Sequence, residues 1–349
     1  MSGIGDALMF TPSLKIIKKK YPEAVIDALV MFRGAEQFYS EIPEINKVHY
    51  HDFIHTGIFS SLLFVLKLRN KYDITFNVYP SNRREYNIIN FLIGAKKRAG
   101  VDYLRRNFVN LGFLNTVRTK ENDGLHNVEE NVRLTEKAMD IESPEIPAMS
   151  FPIDKSDREY AADYLEKIRI TEEDFVVGIH AGCSVLKNHI NRRWAPERFA
   201  EVSRNLIEKR NAKVLIFGGP DENELKETIV NYIGSDRVTN VRTGNILQTA
   251  AVMKRCNLFL TNDSGLMHIA AALDLNIVTI LGPTNENYIK PWKARHKIVS
   301  LRLDCSPCFV YSPKPLTCYR DDVKFKCIKE LESDMVISSI EDFITEQNL

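Results

Sequence analysis

Leu258-Phe-Leu-Thr261-Asn-Asp263-Ser264-Gly265-Leu-Met-His268-Ile-Ala-Ala-Ala272 reads as an apolar strand running straight into an apolar helix. Its first four residues show no polar alternation, as a strand of a parallel sheet covered on both faces requires. The small and hydroxylated residues that follow mark a helix start, where the first backbone N–H groups have no partner inside the helix. Those donors, together with the helix dipole, make a site for an anion. Capping alone would also account for Asp263 or Ser264, and packing alone for His268.

Outward from this junction the pattern repeats. Apolar runs at 175–180, 213–218, 237–241, 276–281 and 297–301 alternate with helical patterns at 196–208, 222–233, 247–255 and 266–273. Repeated βα units predict a doubly wound parallel sheet. The N-terminal half shows the same alternation less cleanly, with strands at 25–30, 47–50 and 74–78 and helices at 7–20 and 60–71. Pro144, Pro147 and Pro152 mark the boundary, giving domains at 1–155 and 156–331 and a last helix at 332–347 within a separate 332–349 segment. The chain opens Met-Ser-Gly3-Ile-Gly5-Asp6, a turn-to-helix sequence with no strand before it. In a Rossmann-like half that turn follows the first, central strand, so either that strand is missing or the chain start is not the natural one.

A length of 349 residues favours two domains, and 44% hydrophobic with 27% charged residues is a globular composition. The net charge of +1 provides no global field for a nucleic acid, and none is expected as a partner. The longest apolar run, 58–66, contains two serines and is far short of the roughly 20 residues of a bilayer span, so it is expected as a buried helix. No charged segment followed by an apolar one opens the chain, which makes the cytoplasm the expected location.

The residues able to carry chemistry gather in glycine-containing loops. Gly3-Ile-Gly5-Asp6 lacks the third glycine of a dinucleotide fingerprint, since Leu8 stands there and Asp27 lies inside the next strand. A dehydrogenase is therefore a distant reading. Asp6 either caps a helix or, at the C-terminal edge of a sheet, serves as a catalytic base. Gly178-Ile-His180-Ala-Gly182-Cys183-Ser184, followed by Lys187, Arg192 and Arg193, forms a second such loop, and Gly218-Gly219-Pro220-Asp221-Glu222 a third. Ligands of open α/β sheets bind at that edge. Cys305-Ser-Pro-Cys308 with Cys318 and Cys327 has the count of a four-thiolate metal site, but the wide second spacing favours thiols without metal over a metal site or disulfides.

Taken together these motifs resemble glycosyltransferase family 9, the ADP-heptose:lipopolysaccharide heptosyltransferases. The resemblance rests on Gly5-Asp6 with Pro12, Lys15 and Pro22, and on His180-Ala-Gly182 leading to Arg192-Arg-Trp194 and Glu197-Arg-Phe199. It continues through Phe217-Gly-Gly-Pro220 with Glu222, Asn262-Asp-Ser-Gly-Leu-Met-His268 with Ala270-Ala-Ala272, and Leu281-Gly-Pro-Thr284. It implies an α/β GT-B architecture, two Rossmann-like domains facing across a cleft, here with the first N-terminal strand missing. It also implies that the last helix packs back on the N-terminal domain. The implied reaction is inverting, metal-independent transfer of a heptose from an ADP-sugar to a lipopolysaccharide inner-core acceptor, with no cofactor. Asp6 then matches the general base. Arg192 matches a residue on the donor diphosphate, Glu222 an acid near its nucleoside, and Asp263, Ser264, Gly265 and His268 the loop holding phosphates and sugar. His180, Gly182, Lys187 and Gly218 join them as donor-binding candidates.

Two alternatives stand beside this reading: a family 9 transferase with another nucleotide sugar or polysaccharide acceptor, and a nucleotide-sugar-binding protein without turnover. The basic clusters Arg83-Arg84, Lys96-Lys-Arg98 and Arg105-Arg106 all lie in the N-terminal half. They are either a solvated surface or the landing place of a phosphorylated, membrane-borne acceptor, which would bring peripheral contact with the inner membrane.

Overall fold

The computed structural model describes residues 3–105 and 107–349, so Arg106 of the third basic cluster lies outside the described residues. The chain divides into two compact units. The first holds the chain up to Pro152 together with Asn287–Ile289 and Val310–Lys314; the second holds Ile153–Glu286, Lys290–Phe309 and Pro315–Leu349. The expected division at 155/156 thus misses two short returns of the second half into the first unit.

In the first unit β1 (Asp27–Val30) pairs in parallel with β2 (Lys47–Tyr50), Ala28 opposite Val48. A separate parallel sheet joins β3 (Ile74–Phe76), β4 (Lys97–Asp102) and β5 (Val117–Lys120) in that order. No strand pairs with the outer edge of β1 or of β3 among the described residues. Both edges line one cavity of about 690 Å³, and they do so with consecutive residues, so backbone and not a single side-chain face borders it. Tyr72 Oη donates to Asp27 Oδ2 at 2.7 Å, and His49 Nε2 lies 2.9 Å from the same oxygen, which ties the sheets together at one end.

The expected helix at 7–20 is two helices, Ile4–Met9 and Thr11–Lys20. Pro12 has no N–H to give to the preceding turn and sits in the first turn of the second helix, where none is needed. The helix Ile58–Leu66, expected as buried, is not: Val65 alone is buried, while Ile58 is 90% and Phe59 75% exposed. Only its inner side packs, against helix Arg84–Ile93 through Val65, Leu68 and Ile93.

The second unit is a six-stranded parallel sheet of order β11-β10-β9-β6-β7-β8. Its strands are β6 (Val176–His180), β7 (Lys213–Ile216), β8 (Val238–Asn240), β9 (Leu258–Asn262), β10 (Ile277–Ile280) and β11 (His296–Val299). Alternate residues such as Val177, Ile179, Leu258 and Leu260 face one core, shared with Phe199 of helix Pro196–Arg210. The chain runs outward from β6 to β8, then returns to the other side of β6 as β9, with His180 opposite Thr261. This is the switch point of a doubly wound sheet.

The last helix, Ser333–Gln347, belongs to this unit and not to the first, contrary to the resemblance-based expectation. Its apolar residues Val336, Ile340, Phe343 and Ile344 complete the second core. Glu341 pairs with Arg210, and Lys297 Nζ lies 2.7 Å from Glu346 Oε1.

Candidate active site

At the C-terminal ends of β6 and β9 the candidate residues form two linked networks. Ser264 caps helix Gly265–Ala272, its Oγ accepting the Met267 N–H at 3.4 Å. That leaves the N–H groups of Gly265 and Leu266, in the first turn, without intrahelical acceptors. His180 Nδ1 lies 2.9 Å from Ser264 Oγ and its Nε2 3.0 Å from Glu222 Oε2. Arg193 Nη2 donates to Glu222 Oε1 at 3.1 Å and to the Cys183 carbonyl at 2.7 Å. Burial alone would raise the Glu222 carboxyl, but the His180 hydrogen bond and charge, Arg193 and the Gly219 N–H outweigh it and hold it below the usual range.

Gly182 is needed here, because a Cβ on it would come within 1.8 Å of the Glu222 carboxylate. Gly218 lies under the same carboxylate and receives Lys226 Nζ on its carbonyl at 3.3 Å.

In the second network Arg192 Nη1 donates to Asp263 Oδ2 at 2.5 Å, and Thr284 Oγ1 donates to the same oxygen at 2.7 Å. Arg192 also reaches His189 Nδ1 at 3.1 Å and lies 5.5 Å from the centre of the Phe309 ring. Burial first, then Arg192, lowers His189 to about 4; burial also lowers His268 to about 4, with Asp263 acting in the opposite sense. Both imidazoles are therefore neutral near pH 7. Three buried nitrogens at this edge have no hydrogen-bond partner among the described residues: Arg192 Nε, Arg193 Nε and His268 Nδ1. Buried polar nitrogens are normally paired, and these three sit on the residues of the two networks and on the helix that Ser264 caps, as a site for a polar ligand would require.

Lys187 lies on the loop between β6 and helix Pro196–Arg210. Its backbone is left-handed at φ 55°, and its carbonyl accepts the Leu316 N–H at 2.8 Å. His189 and Phe309 were not singled out from the sequence, and Arg193 and Thr284 entered only as members of motifs, without a role. Arg193 was legible as half of an Arg-Arg pair and Thr284 as the end of the Leu281-Gly-Pro-Thr284 motif, whereas nothing local marked His189 or Phe309.

The four late cysteines are thiols. Burial and the neighbouring thiols raise Cys308, and push Cys327 up to about 11. Among the described residues no group of three or more His, Cys, Asp or Glu is disposed to hold a metal ion. The segment 305–308 continues directly into Phe309, the ring beside Arg192.

In the first unit, Asp6 Oδ2 accepts the Gly3 N–H at 3.3 Å within helix Ile4–Met9, so it does cap. Burial first, then the Asp6 charge, raises the phenol of Tyr39.

A doubly wound parallel sheet whose switch point gathers these networks defines an α/β protein of the GT-B fold class. The chain belongs to glycosyltransferase family 9 (heptosyltransferase), whose family model matches residues 64–319, and it is a glycosyltransferase. Lipooligosaccharide heptosyltransferase 2 of Haemophilus ducreyi is 26% identical over 312 residues, 86% of each chain. Lipooligosaccharide heptosyltransferase 2 of Campylobacter jejuni is 31% identical over 178 residues, and the alignment spans about half of each protein, 49% of this chain and 52% of that one. The structure of E. coli ADP-heptose lps heptosyltransferase II agrees in fold with a TM-score of 0.74, covering 100% of this chain and 98% of that one at 19% identity.

Proposed function

We propose that this glycosyltransferase moves a heptose from an ADP-sugar to a lipopolysaccharide inner-core acceptor, with inversion and without a metal ion. The observation that carries the reading is that Arg192, held on Asp263 beside the capped start of helix Gly265–Ala272, keeps its buried Nε without a partner among the described residues, as do Arg193 Nε and His268 Nδ1. Positive charge and oriented N–H donors there suit a leaving diphosphate, the task a divalent cation performs in other enzymes. Asp263 and Thr284 act on Arg192 as positioning residues.

In the reaction, the acceptor hydroxyl oxygen attacks the anomeric carbon while Asp6 takes its proton. The bond from that carbon to the diphosphate breaks on the opposite face, and its electron pair leaves on the phosphate oxygen. The names of the relatives, heptosyltransferases of lipooligosaccharide and lipopolysaccharide, support the choice of sugar and acceptor.

Calorimetric titration of ADP into wild type and Arg192→Ala, with and without EDTA, tests the site. A hydrogen bond to a charged group is worth about 1.5 to 3 kcal/mol, so Arg192→Ala is expected to weaken binding roughly 10- to 150-fold. Ser264→Ala costs less, because most donors at that turn are backbone. EDTA changes nothing. Equal affinities for the two proteins remove Arg192 from the site, and loss of wild-type binding in EDTA puts a metal into it.

A further inference from the structure

Among the described residues, twelve of the twenty exposed large hydrophobic side chains lie between positions 54 and 113 of the first unit. Helix Ile58–Leu66 presents Ile58, Phe59, Leu62, Leu63 and Leu66 outward. These follow the spacing of one helix face, while Val65 packs inward. The neighbouring helix Arg84–Ile93 adds Ile88 and Phe91. The turn packed against that second helix adds Phe113, whose ring meets Phe108 at 5.9 Å. An apolar surface spread over adjacent elements marks an interaction site, whereas scattered exposed residues do not.

The same stretch carries ten Lys and Arg against three Asp and Glu, a surplus of seven positive charges in a chain whose total is +1. Lys67, Arg69 and Lys71 follow the first helix, and Arg84, Lys96 and Lys97 bracket the second; all six are exposed. Arg98 holds its guanidinium 5.5 Å from the centre of the Phe91 ring, so charge and apolar surface are in direct contact. A second copy meeting this surface two-fold, patch on patch, would bring the same sign of charge and be repelled. A nucleic acid offers the negative charge but nothing to bury Ile58 and Phe59. An anionic bilayer offers both, through its headgroups and the acyl boundary beneath them.

We propose that helices Ile58–Leu66 and Arg84–Ile93 lie on an anionic membrane surface, with Ile58 and Phe59 inserted and the lysines and arginines on the headgroups. The inference extends the proposed transfer to a lipid-linked acceptor and rests on that reading for its purpose.

Flotation with vesicles of phosphatidylcholine, alone or with phosphatidylglycerol, at low and high salt, tests the surface. Wild type is expected to float with the anionic vesicles at low salt and to release at high salt. Ile58→Ser with Phe59→Ser is expected to weaken binding at least about tenfold, given the apolar area withdrawn. Lys67→Glu with Arg69→Glu is expected to do the same. Both variants are expected to keep the wild-type melting temperature and to transfer normally to a delipidated, soluble acceptor. Absence of wild-type binding, equal binding by the Ile58/Phe59 variant, or a dimer in sedimentation that this variant dissolves would each overturn the proposal. Transfer that persists without vesicle binding leaves the enzymatic reading standing, and vesicle binding without any transfer does the reverse.

Discussion

His268 shows how burial sets the chemistry of a single residue. Its folded-state value of about 4 lies below the ordinary 6.5, so the unfolded chain binds its proton first as pH falls. The stability it confers is complete above about pH 6.5 and is lost between there and pH 4, in total about 3 kcal/mol. His268→Gln removes that titration, so the melting temperature of the variant should fall less between pH 7 and pH 4 than that of wild type. Parallel profiles would mean that His268 is solvated or paired. The half-buried His189, lowered to about 4 in the same way, keeps some slope in the variant. Asp6 is a different case, since the proposed catalysis would use the carboxylate that caps the helix. Asp6→Asn retains an oxygen for the Gly3 N–H but loses the base, so transfer should be abolished with ADP affinity nearly unchanged. Near-normal turnover by Asp6→Asn would leave Asp6 as a cap only.

At the scale of elements, legibility followed burial on both faces. The strands of the second unit were readable because Val176–His180 and Leu258–Asn262 are buried throughout, and so short an unbroken apolar run between turn residues suits a strand covered on both sides. β4 was not readable: Lys97-Arg-Ala-Gly-Val-Asp102 begins with two charges and carries a glycine, whose missing Cβ makes room for the Asn115 amide. β5, Val-Arg-Thr-Lys, buries only Thr119. The opposite error fell on helix Ile58–Leu66, whose apolar character was read as burial although most of it faces outward. In the site, the glycine loops announced the edge, but the pairing of Arg192 with Asp263 and of Arg193 with Glu222 depends on strand order, which no local pattern encodes. The last helix was placed by resemblance, and its packing decided otherwise. Phe343 lies wholly inside the second core, so Phe343→Ala should cost about 3 to 5 kcal/mol in chemical denaturation. A loss below about 1 kcal/mol would show that the helix docks elsewhere.

For the whole molecule, no helix among the described residues is long and apolar enough to cross a membrane, and the two units carry different chemical endowments. The second collects the anion site at one sheet edge, with its donors fixed by Glu222 and Asp263 before any ligand arrives. The first holds Asp6 in the helix that opens the described chain, together with two sheets whose unpaired edges border one cavity. Such a division of labour predicts where a nucleotide alone acts. Hydrogen exchange slows where a ligand bonds or stabilises backbone N–H groups, by a factor set by RT ln(1 + [L]/Kd), about 2.7 kcal/mol when ADP is at 100 times its dissociation constant. The strongest protection should therefore fall on peptides covering 180–193 and 262–268, the two loops that present Arg192 and the first turn of helix Gly265–Ala272. Peptides covering Gly3 to Phe10 should be the less protected, because Asp6 is assigned to the acceptor and not to the nucleotide. Arg192→Ala should need roughly 10 to 150 times more ADP to reach the same protection, while Asp6→Asn should need no more than wild type. If ADP instead protects the Asp6 turn most strongly, the nucleotide binds through the first unit, and the assignment of donor and acceptor to the two halves of the chain is reversed.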